Sequence, residues 1–172
     1  MDVRRIRGYL QLCRPANLLT AAADIITGLA IAGILVPAEI EALGYGGFAL
    51  ILVSLAGGSK LLYAGGVVLN DVFDAELDNI ERPERPIPSG LIPKGHAALF
   101  GGVLLLSGIG LVSLSHAFST WIAVMLGGAI LIYDGIAKQH DFFGPLFMGI
   151  CRGLNLWMGM YMMGFAEALP FI

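Results

Sequence analysis

A group of oxygen-bearing side chains comes directly after a long apolar segment of this chain. Its members are Asn70, Asp71, Asp74 and Asp78. On a helical wheel, which advances 100° per residue, these four side chains lie on one face, and Glu76 points away from it. Mg²⁺ prefers oxygen ligands and usually binds through a few carboxylates together with a substrate phosphate. The spacing therefore predicts a Mg²⁺ and diphosphate site where a membrane helix reaches water. A solvated acidic helix end is the alternative.

The composition is typical of an integral membrane protein. Apolar residues make up 57% of the 172 residues and charged residues 13%, with a mean hydropathy of +0.81. The net charge of −3 offers no basic surface, so we expect no nucleic-acid partner. Five segments approach the roughly 20 apolar residues that a membrane span needs: Leu18–Val36, Tyr45–Leu69, Ala97–Leu114, Phe118–Tyr133 and Phe142–Phe165. The predicted fold class is an all-α, polytopic transmembrane helix bundle. Within it, the Gly149-xxx-Gly153 spacing indicates close helix packing.

The positive charges favour one side of the membrane. Eight of the ten Lys and Arg residues lie before the first predicted span, between the second and third, or after the fourth: Arg4, Arg5, Arg7, Arg14, Arg82, Arg85, Lys94 and Lys138. The intervening loops carry none. Cytoplasmic loops of membrane proteins carry an excess of Lys and Arg, so the N-terminus and the acidic loop are predicted to be cytoplasmic. We expect the membrane to be a bacterial plasma membrane.

Polar side chains also fall inside the predicted spans, where an ionisable group costs about 2.5–3.5 kcal/mol. Lys60 shares a wheel stripe with Asp71, about 16 Å deeper along the helix. It either faces the same interior as the acids or forms an ion pair with Asp24. Arg152 and Asn155, three residues apart, face either the same cavity or a polar contact between helices. Lys60, Arg152 and Asn155 are therefore candidate substrate-binding residues.

Basic residues near the acids are further candidates. The loop of residues 81–90 contains three prolines and is predicted to be stiff and extended. Its Arg82 and Arg85 either contact an anion held by the acids or simply neutralise them. Asp134 and Lys138 lie four residues apart at the end of the fourth predicted span. By themselves they predict a surface salt bridge.

Together, these motifs resemble the UbiA family of intramembrane prenyltransferases. The run from Asn70 to Asp78, followed by Arg85-Pro86-Ile87-Pro88-Ser89-Gly90, is similar to the family's first Asp-rich motif and its trailing loop. Arg14-Pro15-Ala16-Asn17 resembles the family's entry into its first helix, and Tyr133 and Lys138 resemble a Tyr and a Lys at the end of its fourth helix. The segments Asp134-Gly135, Gly144-Pro145 and Cys151-Arg152-Gly153-Leu154-Asn155 look more like the branch found in ebo gene clusters.

The resemblance implies a helix bundle, usually of nine spans, around a cavity open to lipid. In that family Mg²⁺ bridges two Asp-rich motifs to an isoprenyl diphosphate, and a lipophilic acceptor captures the allylic cation left when diphosphate departs. Carried onto this sequence, the catalytic and metal-binding residues are Asp71, Asp74 and Asp78, with Asn70 as a further ligand of Mg²⁺ and diphosphate. Arg85 and Lys138 become candidate diphosphate contacts. The implied partners are a prenyl diphosphate, a lipophilic acceptor and membrane lipids.

The resemblance is incomplete at one point. The family's second Asp-rich motif follows span five, and no second cluster occurs before Ile172. We therefore expect residues 1–172 to form a single transmembrane prenyltransferase-like domain that is part of a longer protein. A non-catalytic prenyl-lipid carrier or transport accessory on the same scaffold stays open, because binding a prenyl diphosphate and transferring it need the same first motif. A CDP-alcohol phosphatidyltransferase fits less well, since its Asp-Gly-xx-Ala-Arg pattern is absent.

Overall fold

α-Helices joined by turns make up the part of the chain that the structure, a computed structural model, describes. This part comprises residues 3–161, and no strand occurs within it. The helices are α1 (Val3–Leu12), α2 (Leu18–Ile31), α3 (Pro37–Phe73), α4 (Ala75–Glu81), α5 (Lys94–Val112), α6 (Ala117–Gly135) and α7 (Phe143–Met160). Short 3₁₀ turns occur at Pro15–Asn17 and Ala137–Gln139. The predicted all-α class is confirmed.

Among the described residues, the helices long and apolar enough to cross a membrane are α3, α5 and α6. They match the second, third and fourth predicted spans. The first predicted span is shorter than expected: α2 has 14 residues and ends before Gly33, whose φ of 79° turns the chain. Such a helix is about 21 Å long, less than the roughly 30 Å of a hydrocarbon core. The fifth span, Phe142–Phe165, overlaps α7, but its last residues lie outside the described range.

The outer faces of the bundle carry large apolar side chains. Leu99, Leu106 and Trp121 are all exposed. Contact between large apolar side chains and water is unfavourable, whereas lipid tails accommodate such side chains. The inner faces form a core to which five helices contribute: Ile25 and Leu29 from α2, Leu55 and Leu62 from α3, Leu105 and Val112 from α5, Ile122 and Leu126 from α6, and Met158 from α7. The bundle thus has the exposure pattern expected inside a membrane.

Helix α3 positions the acidic motif. It bends at Gly44, where φ is 71° and ψ is 149°, a conformation that glycine adopts at little steric cost. Its apolar part therefore begins at Tyr45, as predicted. The helix then continues to Phe73, so Asn70 and Asp71 belong to the membrane-spanning helix itself.

The motif residues keep helical i,i+4 hydrogen bonds across a break between two helices at Asp74. This residue ends α3 and precedes α4. The Asp74 N–H nevertheless donates to the carbonyl oxygen of Asn70 at 2.9 Å, and the Asp78 N–H donates to that of Asp74 at 2.8 Å. The motif residues therefore stay at helical spacing although two helices share them.

The loop after the motif is not extended, and that prediction is wrong. Backbone N–H groups of Ser89 and Ile92 donate to the carbonyl oxygens of Arg85 and Pro86, each at 2.9 Å. Proline sets φ near the value that the first central position of a turn requires, so these prolines favour tight turns. Ile92 is buried in an apolar cluster that holds the loop against the bundle: Leu12, Val68, Val72, Ala75, Ile87, Ile92 and Ala97.

Close helix contacts occur at glycines other than the predicted pair. A Cβ atom on Gly28 of α2 would lie 2.5 Å from the Leu156 carbonyl oxygen, and one on Gly159 of α7 would lie 2.6 Å from that of Ile25. Among residues 3–161, added Cβ atoms on Gly149 and Gly153 would meet nothing within 4 Å. The prediction for the latter pair is wrong, because the face of α7 that meets α2 carries Gly159 instead.

We predict that Gly28→Ala destabilises the bundle by about 1–3 kcal/mol, because the new methyl group overpacks the contact between α2 and α7. Gly149→Ala is the matched control. It adds the same methyl group to open space, where alanine stabilises a helix by up to about 1 kcal/mol relative to glycine. Thermal unfolding in detergent is the measurement. Equal midpoints for the two variants would contradict the proposed close contact.

Candidate functional site

A cavity of about 370 Å³ lies between α2, α3, α6 and α7. Most of its wall is apolar, and its polar groups fall into two sets that lie 11 residues apart on α3, or about 16 Å along the helix axis. The motif end consists of Arg14, Asn70, Tyr133 and Asp134, and Tyr63 lies between the two sets. The inner polar cluster consists of Asp24, Ser59, Arg152 and Asn155. The cavity is thus an apolar chamber with a polar group at each end.

Basic side chains neutralise the acids beside the motif end. Arg85 Nη1 lies 2.6 Å from Asp78 Oδ2 and 3.3 Å from Asp71 Oδ1. Arg14 Nη2 lies 2.5 Å from the same Asp71 oxygen. Both carboxylates are buried. These contacts agree with the interpretation in which Arg85 neutralises the acids. Arg82 is exposed and forms no ion pair among the described residues.

Lys138 forms an ion pair with the motif and not with Asp134. Its Nζ lies 2.6 Å from Asp74 Oδ1, so the predicted surface salt bridge with Asp134 is wrong. Helix α6 ends at Gly135 and a 3₁₀ turn follows, which removes the helical geometry that an i,i+4 pair requires. Asp134 is 3% exposed and accepts a hydrogen bond from Asn70 Nδ2 at 2.9 Å.

The donor set at the motif suits Mg²⁺ chemically, since it consists of carboxylate and amide oxygens. Within residues 3–161, however, no three His, Cys, Asp or Glu side chains converge closely enough to hold a metal. Asp71, Asp74 and Asp78 are instead each in contact with a cation. The residues therefore fit Mg²⁺ only in the mode in which a few carboxylates share the ion with substrate phosphate oxygens.

The inner polar cluster joins three helices. Asn155 Nδ2 donates to the carbonyl oxygen of Ala21 at 3.0 Å and to Asp24 Oδ2 at 3.2 Å. Ser59 Oγ donates to Asn155 Oδ1 at 2.7 Å, and Arg152 Nη2 donates to Asp24 Oδ1 at 3.1 Å. Both interpretations of Arg152 and Asn155 hold, because these residues line the cavity and also connect α2, α3 and α7.

Lys60 lies apart from the other predicted site residues. It does not line the cavity, and it has neither a hydrogen bond nor an ion pair among the described residues. Asp24, its predicted partner, binds Arg152 and Asn155 instead. The cavity face of α3 is the stripe Ser59, Tyr63, Gly66 and Asn70. This stripe begins one residue before Lys60, which a turn of 100° carries away from the cavity.

Sequence reasoning gave no role to Ser59 and Tyr63, which line the cavity. They lie eleven and seven residues before Asn70, and this spacing is the signal that could have found them. It placed polar side chains on one stripe of a predicted membrane span. Arg14 and Asp134 appeared only as part of the family resemblance and as a surface pair. Their contacts with Asp71 and Asn70 required the packed helices.

We predict that the hydrogen bond between Ser59 and Asn155 contributes to stability. A double-mutant cycle of Ser59→Ala and Asn155→Ala should give a coupling energy of about 0.5–1.5 kcal/mol, the range for hydrogen bonds between membrane helices. The control is a second cycle in which Asn79→Ala, on the exposed surface of α4, replaces Ser59→Ala. Its coupling energy with Asn155→Ala should be zero. Chemical unfolding in mixed micelles measures both cycles, and zero coupling in the first would refute the contact.

Comparison with known proteins adds independent information. The model of the UbiA prenyltransferase family matches residues 25–172. Digeranylgeranylglyceryl phosphate synthase of Saccharolobus solfataricus is 33% identical over 156 residues, which are 90% of this chain and 51% of that protein. The protein of that name from Methanopyrus kandleri is 34% identical over 148 residues, 86% of this chain and 50% of its own.

A solved structure supports the same relationship. It comes from work on digeranylgeranylglyceryl phosphate synthase in membranes, and it superposes with a TM-score of 0.80 at 26% identity over 96% of this chain and 57% of that one. This chain spans about half the length of the curated relatives it matches. With its apolar helices and this match over most of its length, the chain is an integral membrane protein that belongs to the UbiA prenyltransferase family.

Proposed function

We propose that the protein transfers an isoprenyl group from a prenyl diphosphate to a lipophilic acceptor within the membrane, and that the reaction depends on Mg²⁺. The observation that carries this proposal is the juxtaposition of acids, cations and an apolar cavity. Asp71, Asp74 and Asp78 are paired with Arg14, Arg85 and Lys138 beside a chamber of about 370 Å³. Family membership supports the same reaction.

The charged groups would act on the diphosphate. Asp71, Asp74, Asp78 and Asn70 are the proposed ligands of Mg²⁺, which when bound stabilises the negative charge on the departing diphosphate. Arg85 and Lys138 would contact phosphate oxygens, which suit both guanidinium and ammonium groups. Because both cations already lie against the motif acids, a shift of a few ångströms exchanges a carboxylate oxygen for a phosphate oxygen.

The cavity would act on the prenyl chain and its carbocation. Leu126, Ile130 and Met148 provide apolar wall. Such a wall binds an isoprenyl chain and excludes the water that would otherwise capture an allylic cation. The name of the relatives, digeranylgeranylglyceryl phosphate synthase, supports an isoprenyl donor and a glyceryl phosphate acceptor for this chain also.

We further propose that the motif end faces the cytoplasm. At that end of the bundle, acids of the motif and of α4 pair with Arg14, Arg85, Lys94 and Lys138. An excess of Lys and Arg marks cytoplasmic loops. The expected bacterial origin has no support in the relatives named above, which are archaeal. Residues 1–172 are proposed to belong to one transmembrane domain, consistent with a single family match from residue 25 onward.

We predict that the full-length protein binds a prenyl diphosphate only with Mg²⁺ present, and that Asp74→Ala weakens binding at least about tenfold, because a lost charge-assisted contact to a ligand costs roughly 1.5–3 kcal/mol. Glu76→Gln is the matched control. Glu76 is 94% exposed on the opposite side of α4, so its neutralisation should leave affinity unchanged. Titration calorimetry with geranylgeranyl diphosphate makes the measurement. Unaltered affinity in EDTA would rule out the metal site.

A second assay distinguishes a prenyltransferase from a non-catalytic prenyl-lipid carrier. We predict that protein incubated with Mg²⁺, a prenyl diphosphate and a lipid extract releases inorganic diphosphate, because ionisation of the donor breaks the bond between carbon and diphosphate. Asp71→Asn should remove this release, since the amide cannot supply the ligand charge. Tight binding without diphosphate release by the wild-type protein would favour the carrier over the enzyme.

A further inference from the structure

An apolar groove lies outside the cavity, between α1 and α5. It has a volume of about 610 Å³, and within the described part of the chain it shares no lining residue with the cavity. Tyr9 of α1 packs edge to face on Phe100 of α5, with 5.0 Å between the ring centroids, and both rings line the groove. Leu10 and Leu99, on its two walls, are exposed. The groove is therefore open on the outer surface of the bundle.

Helix α1 has the character of a helix at a membrane surface. Its ten residues span about 15 Å, which is too short to cross a bilayer. It contains three arginines, and its Ile6 and Leu10 line the groove. Amphipathic helices of this kind lie between the lipid headgroups and the acyl chains. Leu12 packs with Val72 of α3 in one apolar cluster, so α1 lies at the same end of the bundle as the acidic motif.

The groove runs from this end of the bundle towards the middle of a membrane-spanning helix. Helix α5 is long and apolar enough to cross a membrane, and it begins at Lys94. Two of its lining residues are His96, near this beginning, and Val103, seven residues further along. Seven residues correspond to about 10 Å along the helix axis. An amphiphile in the groove therefore has its polar head beside His96 and its apolar chain beside Leu99 and Val103.

Positive charge borders the groove. Arg5 and Arg7 are the sequence neighbours of Ile6 and lie 100° to either side of it on a helical wheel. Both arginines are exposed, and neither has a hydrogen bond or an ion pair among residues 3–161. Neither α1 nor α5 contains an Asp or a Glu. The charge beside the groove is therefore complementary to an anionic head, whereas an uncharged head would leave both arginines without a counter-charge.

We propose that the groove between α1 and α5 binds an anionic phospholipid of the surrounding membrane, with its head near Arg5 and Arg7 and a chain against Leu99 and Val103. A lipid is the occupant because the groove opens on the outer surface of a membrane protein and its polar and apolar parts follow the order of a lipid's head and chain. The charge of the head follows from the arginines, since basic residues near a bilayer surface attract anionic headgroups. A lipid held there lies outside the cavity and is distinct from the proposed substrates.

Two lipids with the same chains and different charge test the contact with the head. Full-length protein in a neutral detergent is titrated with dioleoyl phosphatidylglycerol and with dioleoyl phosphatidylcholine, and native mass spectrometry measures the lipid that the protein retains. The wild-type protein should bind the anionic lipid at least about tenfold more tightly. Arg7→Gln should reduce this preference about fivefold, and the double variant Arg5→Gln, Arg7→Gln should remove it. Arg82→Gln, which removes an exposed arginine outside the groove, should retain it.

Two exposed leucines of α5 provide a matched pair for the contact with the chain. Leu99 lines the groove and is 69% exposed, whereas Leu106 is 71% exposed, lies two turns further along the helix and does not line the groove. Leu99→Asn should weaken the binding of both lipids at least about threefold, because apolar contact with the chain is lost. The preference for the anionic lipid should remain. Leu106→Asn makes the same change in polarity and should leave both affinities unchanged.

All of these side chains are exposed, so the thermal unfolding midpoints of the variants in detergent should stay close to that of the wild-type protein. Equal affinities of the wild-type protein for the two lipids would overturn the proposal, and so would a preference that persists in the double arginine variant. Equal losses in Leu99→Asn and Leu106→Asn would mean that lipid binds anywhere on the apolar surface. No loss in Leu99→Asn would mean that another part of the protein covers the groove. Either result would overturn the proposal, as would competition by inorganic phosphate as effective as that by phosphatidylglycerol.

Discussion

Pairing of ionised side chains between helices is the constraint on which this bundle depends. An isolated charge in a hydrocarbon environment is expensive, and removing one partner of a buried pair costs about 3–5 kcal/mol. Among residues 3–161, this pairing occurs where Asp71 lies between Arg14 and Arg85, where Asp74 contacts Lys138, and where Asp24 lies beside Arg152. The pairs of Arg14 with Asp71 and of Arg152 with Asp24 join segments that are 57 and 128 residues apart in sequence. These ion pairs therefore also connect the segments that form the walls of the cavity.

Backbone proximity is the second requirement. Where α2 meets α7, Gly28 and Gly159 leave no room for a Cβ atom, and the same is true of Gly58 and Gly108 where α3 meets α5. Contacts of this kind bring helices close enough for short polar side chains to bond across the gap. Ser59 can reach Asn155 only because α3 and α7 are both close to α2. Small residues thus set the positions in which the inner polar cluster can form.

The acidic motif is neutralised by neighbouring cations when no ligand is bound. Its carboxylates are already paired with Arg14, Arg85 and Lys138, so the ligand-free arrangement contains few uncompensated charges. The same pairs put cations where an anion would enter. The turns of the loop, fastened by buried Ile87 and Ile92, fix the position of Arg85 relative to the acids. A flexible extended loop would give no such fixed geometry.

Composition and spacing were enough to predict the helical class, three of the membrane helices and the helical spacing of the motif residues from Asn70 to Asp78. Apolar length and helical periodicity are local properties. Predictions from local sequence were wrong where a contact depends on the residue at which a helix ends or on which face of a helix lines the cavity. Lys60 was placed on the cavity side although the lining stripe begins at Ser59, one residue and 100° away. The predicted pair of Asp134 and Lys138 was lost because α6 ends at Gly135, between them.

By itself, the sequence determined that the chain is a set of membrane helices with acidic and amide side chains grouped at the end of one of them, because hydrophobicity and side-chain type act residue by residue. Only the tertiary structure decided which groups meet. Arg14 pairs with Asp71 across 57 positions, and Asn155 bonds to Asp24 across 131. Such pairings depend on which helix faces come into contact, and that choice follows from packing summed over the whole bundle.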